Sequence, residues 1–116
     1  MILDKLVNFL TYFETYKNDR QWTKEQIITG ILANTVDWVQ HNGRITAIVR
    51  FNLLNDGRIA DILDLRITDK RGIEIMKLFA RRAKRNFPSL EYIRFERGIK
   101  YPGKKHKMVD IEWFIT

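Results

Sequence analysis

The stretch "DLRITDKRGIEIMKLF", residues 64–79, passes from one periodicity to another, and the architecture follows from that junction. Its first part alternates polar and apolar residues, which is typical of a β-strand with one buried face. From Gly72 onward, apolar residues recur every three or four positions, which predicts an amphipathic helix. The charged turn has two interpretations: an ordinary helix start capped by Asp69, or an anion site at a helix N-terminus where Lys70 and Arg71 supply the positive charge.

The predicted helix extends as far as Pro88, which cannot continue it because proline has no backbone N–H. The apolar face is predicted to contain Ile73, Met76, Phe79, Ala80, Ala83 and Phe87. The opposite face carries the basic residues Lys77, Arg81, Lys84 and Arg85. This separation predicts one helix face against a sheet and a cationic face in solvent.

The residues before this stretch predict two helices and three strands. Residues 2–17 have helical apolar spacing, and the capping-box pair Thr23 and Gln26 predicts a second helix that ends near Asn34. Asn42-Gly43 and the "NDG" at 55–57 are turn signals between β-branched and aromatic segments, so the strands form an antiparallel meander.

Two further strands are predicted after the long helix, within "LEYIRFERGI" (90–99) and "MVDIEWFI" (108–115), the second as the edge strand. A strand that follows a helix usually returns parallel to the strand before it. The sequence therefore predicts an α+β fold with two N-terminal helices, a three-strand antiparallel meander, a long helix and two C-terminal strands in one mixed sheet.

The 116 residues are enough for one domain, and no linker divides them, so residues 1–116 are predicted to form a single domain. The absence of cysteine excludes disulfides and thiolate zinc sites and fits the cytoplasm. Asp4, Lys5 and Glu14 interrupt the apolar N-terminal stretch, and these charges argue against both a signal peptide and a membrane span. The net charge of +7 fits a solvated surface, an acidic protein partner or nucleic acid.

The order of elements and the Arg71-Gly72 pair resemble the GNAT superfamily of N-acyltransferases. The resemblance implies an acyl-CoA donor that enters between the third and fourth strands. Main-chain groups near Ile67 would hold its pantetheine arm, and Lys70, Arg71 and Gly72 would meet its phosphates. Two glycine positions of the family motif fall on Glu74 and Met76. Because Glu74 would repel a pyrophosphate at the helix mouth, we expect weak or lost acyl transfer.

Residues 63–97 also resemble the branch of that superfamily that includes toxin-activating lysine acyltransferases, and this resemblance implies that Asp64 is the catalytic base. Those enzymes pair the aspartate with an N-terminal histidine, whereas the first histidine here is His41. The run "NFPSLEYIRFERGIKYP", residues 86–102, is similar to small phage-encoded GNAT-like proteins. It implies a phage or mobile-element origin and a place in the host cytoplasm.

Asp61 and Asp64, three apart on one strand, are predicted to face opposite sides of the sheet. The alternative to catalysis for either is an ion pair with an arginine of a neighbouring strand. His41 and His106 are surface residues or weak candidates for a general base, and their spacing does not suit a metal site.

The rival hypothesis is a binding module without catalysis, such as a viral inhibitor or virion component. It would engage an acidic protein surface or nucleic acid through Lys77, Arg81, Lys84 and Arg85 and through the loop residues Lys100, Lys104 and Lys105. Tyr92, Phe95 and Tyr101 could stack bases beside basic residues, although the same alternation is expected if they belong to the core. The sequence leaves the oligomeric state open.

Overall fold

The computed structural model of the protein describes residues 2–17, 24–68, 71–95 and 107–115. The helices are α1 (Ile2–Lys17), α2 (Lys24–Leu32), α3 (Gly72–Asn86) and the short α4 (Ile111–Ile115). The strands are β1 (Val36–His41), β2 (Arg44–Leu54), β3 (Ile59–Ile67), β4 (Tyr92–Phe95) and β5 (Lys107–Asp110). No helix in these ranges is both long and apolar enough to cross a membrane.

The five strands form one sheet in the order β1-β2-β3-β4-β5. Neighbouring strands are antiparallel except β3 and β4, which are parallel and are connected through α3. The predicted α+β class and mixed sheet are confirmed, and β5 is an edge strand as expected.

Both predicted turns are tight, with left-handed backbone at their centres. Asn42 and Gly43 have φ of 52° and 76°, the pair of positive values that a type I′ hairpin requires. Asn55, Asp56 and Gly57 have φ of 52°, 56° and 82°. Asparagine, aspartate and glycine adopt this region at the lowest cost, and therefore these residues set the register of the meander.

The sheet has helices on both faces. On one face, Leu6 and Leu10 of α1 and Ile27 of α2 pack against Val36 and Ile48. The other face is covered by α3 and α4. Its buried residues include Ala47, Val49, Phe51, Ala60 and Ile93 of the sheet, Ile75, Phe79, Ala80 and Ala83 of α3, and Ile111 and Phe114 of α4.

The apolar face of α3 is rotated from the predicted one. Ile73, predicted to be buried, is 58% exposed, whereas Ile75 is buried against the sheet with Phe79. Ile73 and Ile75 each lie at helical spacing from some of the other apolar residues of α3. The spacing alone therefore does not show which of the two is buried. The contact with β2 selects Ile75.

The C-terminal segment differs from the single strand predicted over 108–115. Only Lys107–Asp110 form β5, and Ile111–Ile115 turn into α4. The carboxylate of Asp110 accepts a hydrogen bond from the Glu112 N–H, which is how an aspartate caps a helix start. Ile111 and Phe114, three residues apart, are both buried, as a helix rather than a strand allows.

Candidate functional site

The C-terminal half of β3 lies beyond the three positions at which β3 pairs with β4. The two strands pair at three positions, where Ile59, Ala60 and Asp61 meet Tyr92, Ile93 and Arg94. Beyond them β3 continues to Ile67, whereas β4 ends at Phe95. Among the described residues, no strand pairs with this half of β3 on the β4 side. Main-chain groups as far as Ile67 are therefore outside the β4 ladder, beside the start of α3.

Helix α3 begins at Gly72, five positions after the end of β3 at Ile67. Its N-cap is Arg71, which makes no side-chain capping hydrogen bond, while its carbonyl accepts from the Ile75 N–H over 3.0 Å. Apart from its chain neighbours and the backbone of its own helix, a Cβ built on Gly72 would meet no atom of the described residues within 4 Å. The predicted cap Asp69 and the predicted phosphate ligand Lys70 lie outside the described residues.

Glu74 is exposed in the first turn of α3. The helix dipole favours a carboxylate in this place, and for the same reason the carboxylate competes with any anionic ligand of the first-turn amides. Gly72 thus fits a pyrophosphate, whereas Glu74 opposes one. Taken together, the residues at this helix start do not fit tight binding of a CoA pyrophosphate in the glycine-motif mode.

Asp64 lies on β3 directly opposite Arg50 of β2. Its Oδ2 accepts from Arg50 Nε at 3.0 Å and Nη2 at 2.7 Å, and its Oδ1 is 3.8 Å from Arg66 Nη2. The Asp64 side chain is 11% exposed. The cross-strand ion pair considered from the sequence is therefore present, and catalysis by Asp64 stays a prediction.

The prediction that Asp61 and Asp64 face opposite sides is wrong, because β3 contains a bulge. Arg50 pairs with Asp64 and Phe51 pairs with Ile62, which leaves Leu63 as an extra residue. Ala60 and Ile62 pack on the α3 side before the bulge, and Leu65 and Ile67 do so after it; both aspartates therefore lie on the opposite face. There, Asp61 Oδ1 is 3.7 Å from Arg94 Nε.

The basic residues predicted on α3 differ in their surroundings. Arg81 and Arg85 are exposed and Lys77 is half-buried. Lys84 Nζ donates to the carbonyls of Pro88 at 2.7 Å and Leu90 at 2.8 Å, and its charge thus stabilises the turn after the helix. The loop residues Lys100, Lys104 and Lys105 lie outside the described residues.

The two histidines do not form a site in the described part of the chain. His41 is exposed at the end of β1, and His106 lies outside the described ranges. Within those ranges, no cluster of three His, Asp or Glu side chains could hold a metal ion.

A second feature, in which Arg82 of α3 contacts Asp37 of β1, has no signal in the sequence. Arg82 Nη1 is 3.2 Å from Asp37 Oδ1 and donates to the Trp38 carbonyl at 3.0 Å. Burial raises the pKa of the Asp37 carboxyl above its ordinary value, and the Arg82 charge opposes this only in part. The two residues are 45 positions apart, so no local pattern could have paired them.

Comparison with known proteins supports this architecture. No protein-family model matches the sequence, and no curated protein matches it either. Among solved structures, an acetyltransferase of the GNAT family from Streptococcus pneumoniae superposes with a TM-score of 0.57 at 15% identity, over 80% of this chain and 67% of that one. The chain has the GNAT fold.

A second GNAT-fold structure covers more of the chain. The GNAT family acetyltransferase from Brucella melitensis, whose structure is a complex with acetyl-CoA, superposes with a TM-score of 0.59 at 11% identity. The match spans 91% of this chain and 78% of that one. At such identities the likeness establishes the arrangement of elements, and the chemistry has to be argued from the side chains.

Proposed function

We propose that this protein is a divergent GNAT-fold protein in which acyl-CoA-dependent acyl transfer is weak or lost. The observation that carries the proposal is the exposed Glu74 in the first turn of α3. A donor held at the start of α3 would have main-chain groups near Ile67 along its pantetheine arm, and Arg71 and Gly72 near its phosphates. Glu74 places a negative charge next to those phosphates.

The strength of this repulsion depends on distance and solvent. Two unit charges 4 Å apart interact by roughly 4 kcal/mol at the dielectric of a protein surface, and salt weakens the effect. A weakening of about tenfold or more in affinity corresponds to roughly 1.4 kcal/mol, well within that range. The fold is retained under this proposal, while tight donor binding is not.

The surroundings of Asp64 also favour weak or lost transfer. Arg50 already donates two hydrogen bonds to its Oδ2, and Arg66 lies near its Oδ1. A general base needs a lone pair within hydrogen-bond reach of the proton it removes. Asp64 would have to give up part of this pairing to accept a proton from an acceptor amine. It nevertheless remains our candidate base for any residual activity.

Calorimetric titration with acetyl-CoA tests the proposal on three chains: the natural one, Glu74→Gln and Glu74→Gly. We expect no micromolar binding to the natural chain. Glu74→Gln, which removes only the charge, should bind about tenfold or more tightly, and Glu74→Gly should bind most tightly because it also bares the backbone. Glycine costs roughly 0.5–1 kcal/mol of helix stability here, so melting curves must accompany the titrations.

Two results would contradict parts of this proposal. Micromolar binding by the natural chain would show that Glu74 does not block the site. If all three chains fold and none binds, acyl-CoA is not a ligand of this protein, and the GNAT fold serves as a scaffold for another role.

The second candidate, a binding module without catalysis, is favoured by Arg81 and Arg85, which are both exposed and one turn apart on α3. They would engage an acidic protein surface or nucleic acid. Binding to nucleic acid should weaken steeply as salt rises, with a slope that falls when Arg81→Gln and Arg85→Gln are combined. Salt-independent binding would exclude it. A phage origin remains a prediction from resemblance and is compatible with either function.

A further inference from the structure

A cavity of about 290 Å³ lies between the sheet and the C-terminal half of α3. Its apolar wall includes Val49, Phe51, Ile62 and Phe79, and Trp38 and Asp37 of β1 lie at its side. It is separate from the candidate site at the start of α3, because Asp64, Ile67, Arg71 and Gly72 do not line it. Its volume is near the lower end for small-molecule pockets and corresponds to roughly ten water-sized groups.

The charged residues of the cavity are two arginines and one aspartate, and Asn34 and Asn86 also line it. Arg82 and Arg85 both line it, as does Asp37, so the lining carries a net positive charge. Both hydrogen-bonding contacts of Arg82 use Nη1, and its other N–H donors have no partner in the part of the chain that the structure describes. The Arg82 side chain is 41% exposed and can reach a ligand without being uncovered.

From this arrangement we propose that the cavity binds a small amphipathic carboxylate. The apolar body lies against Val49, Phe51 and Phe79, and the carboxylate accepts hydrogen bonds from Arg82 and Arg85 at the rim. A guanidinium binds a carboxylate through paired N–H donors, which gives both strength and orientation. The proposal is independent of the function proposed for the start of α3, because the two places share none of their argued residues.

The presence of Asp37 is the reason to propose a ligand with a single negative group and an apolar body. It neutralises one of the two rim arginines through the contact with Arg82. A single carboxylate balances the remaining charge, whereas a dianion would bring excess negative charge against Asp37. A cationic ligand would have to displace Arg82 from Asp37 and leave two guanidinium groups beside it.

The probe is 2-naphthoate, with 2-naphthylmethanol as a neutral ligand of the same shape. Calorimetry on the unmodified chain gives the dissociation constants. We expect 2-naphthoate to bind, and the alcohol to bind about tenfold or more weakly, because it lacks the charge-assisted hydrogen bonds.

Arg85→Gln and Arg82→Gln should each raise the dissociation constant of 2-naphthoate about tenfold. The matched control is Arg81→Gln, which removes the same charge from an exposed position on the same helix that does not line the cavity, and it should leave binding unchanged. Ala83→Leu, which places a larger side chain in the cavity wall, should abolish binding in a chain that circular dichroism shows to be folded.

Three results would overturn the proposal. The first is no binding of 2-naphthoate at millimolar concentration. The second is equal affinity for the acid and the alcohol. The third is a loss on Arg81→Gln as large as that on Arg85→Gln, which would assign the effect to the general positive field of α3 rather than to the rim. If Ala83→Leu does not fold, the comparison of Arg85→Gln with Arg81→Gln still locates the ligand, because Arg85 lines the cavity and Arg81 does not.

Discussion

Arg50 Nη2 donates to Asp64 Oδ2 over 2.7 Å across β2 and β3, and both side chains are less than one-fifth exposed. The bulge at Leu63 makes this contact possible, because it turns Asp64 toward the face of the sheet that Arg50 occupies. The pair forms only in this register of β2 and β3, and it places a positive charge against Asp64, the candidate base.

A double-mutant cycle should reveal this coupling. Arg50→Gln and Asp64→Asn should each lower the free energy of unfolding by about 1–3 kcal/mol, because each leaves a partly buried partner less well paired. The loss of unfolding free energy in the double variant should be smaller than the sum of the two single losses by about 1 kcal/mol, as measured by urea unfolding. The exposed pair Arg58–Glu91, 59% and 45% exposed, is the control and should show little coupling. Strict additivity at Arg50 and Asp64 would refute the expectation.

Gly30 and Gly72 should respond oppositely to alanine. A Cβ on Gly30 would overlap the Cγ2 of Val36, whereas one on Gly72 would meet no atom of the described residues outside its own helix and its chain neighbours within 4 Å. Gly30→Ala should cost about 1–3 kcal/mol of stability through overpacking, and Gly72→Ala should stay within about 0.5 kcal/mol of the natural chain. Thermal or urea unfolding checks both.

The matched variant for Gly30 is Gly30→Ala combined with Val36→Ala. The second change removes the methyl group that the new Cβ would meet. If the overlap is the cause, the two changes together should destabilise by less than the sum of their separate costs. An additive result would mean that Gly30 is needed for another reason.

Lys84 should matter for stability in a way that Arg81 does not. The Lys84 ammonium donates to the Pro88 and Leu90 carbonyls, which otherwise lose these hydrogen bonds after the helix ends. Lys84→Met should lower the free energy of unfolding by about 1–2 kcal/mol, whereas Arg81→Met, at an exposed position, should change it by less than about 0.5 kcal/mol. Equal effects of the two variants would argue against the role of the bonds.

The stability difference between Asp37→Asn and the natural chain should depend on pH. Because burial raises the Asp37 pKa in the folded protein above the unfolded value of 3.8, folding binds protons to this group. Its contribution to stability is therefore full below pH 3.8 and declines as pH rises through the folded pKa. The asparagine keeps a side-chain oxygen for the Trp38 N–H and does not titrate.

Consequently, the free energy of unfolding of Asp37→Asn minus that of the natural chain should become more positive from acid to neutral pH. Urea titrations at several pH values between 3 and 7 measure this difference, in which the titrations of all other groups largely cancel. A difference that is constant, or that falls as pH rises, would contradict the raised pKa.

Local patterns account for most of the elements in this fold. The residues Asn42, Gly43, Asn55, Asp56 and Gly57 fixed the two turns of the meander, because few other residues adopt a positive φ without strain. Apolar spacing located α1, α2 and α3. The helix between β3 and β4 then required a crossover, and with it the parallel pair that gives the mixed sheet.

The candidate site could be predicted only in outline. Arg71, Gly72 and Glu74 lie at the start of α3, as the junction at residues 64–79 indicated, because a helix boundary is a local property. The orientation of Asp64 could not be predicted, since it depends on a bulge, and a bulge arises from how β2 and β3 pair rather than from the residues of β3 alone.

Alternation, helical spacing and turn residues thus specify the order of helices and strands, since each acts over a few neighbouring positions. Which isoleucine of α3 is buried, where Ile111 leaves the sheet and why Arg82 meets Asp37 depend on contacts between residues distant along the chain. Packing selects among local arrangements of nearly equal free energy, and only the assembled sheet and helices contain the neighbours that make one of them lower.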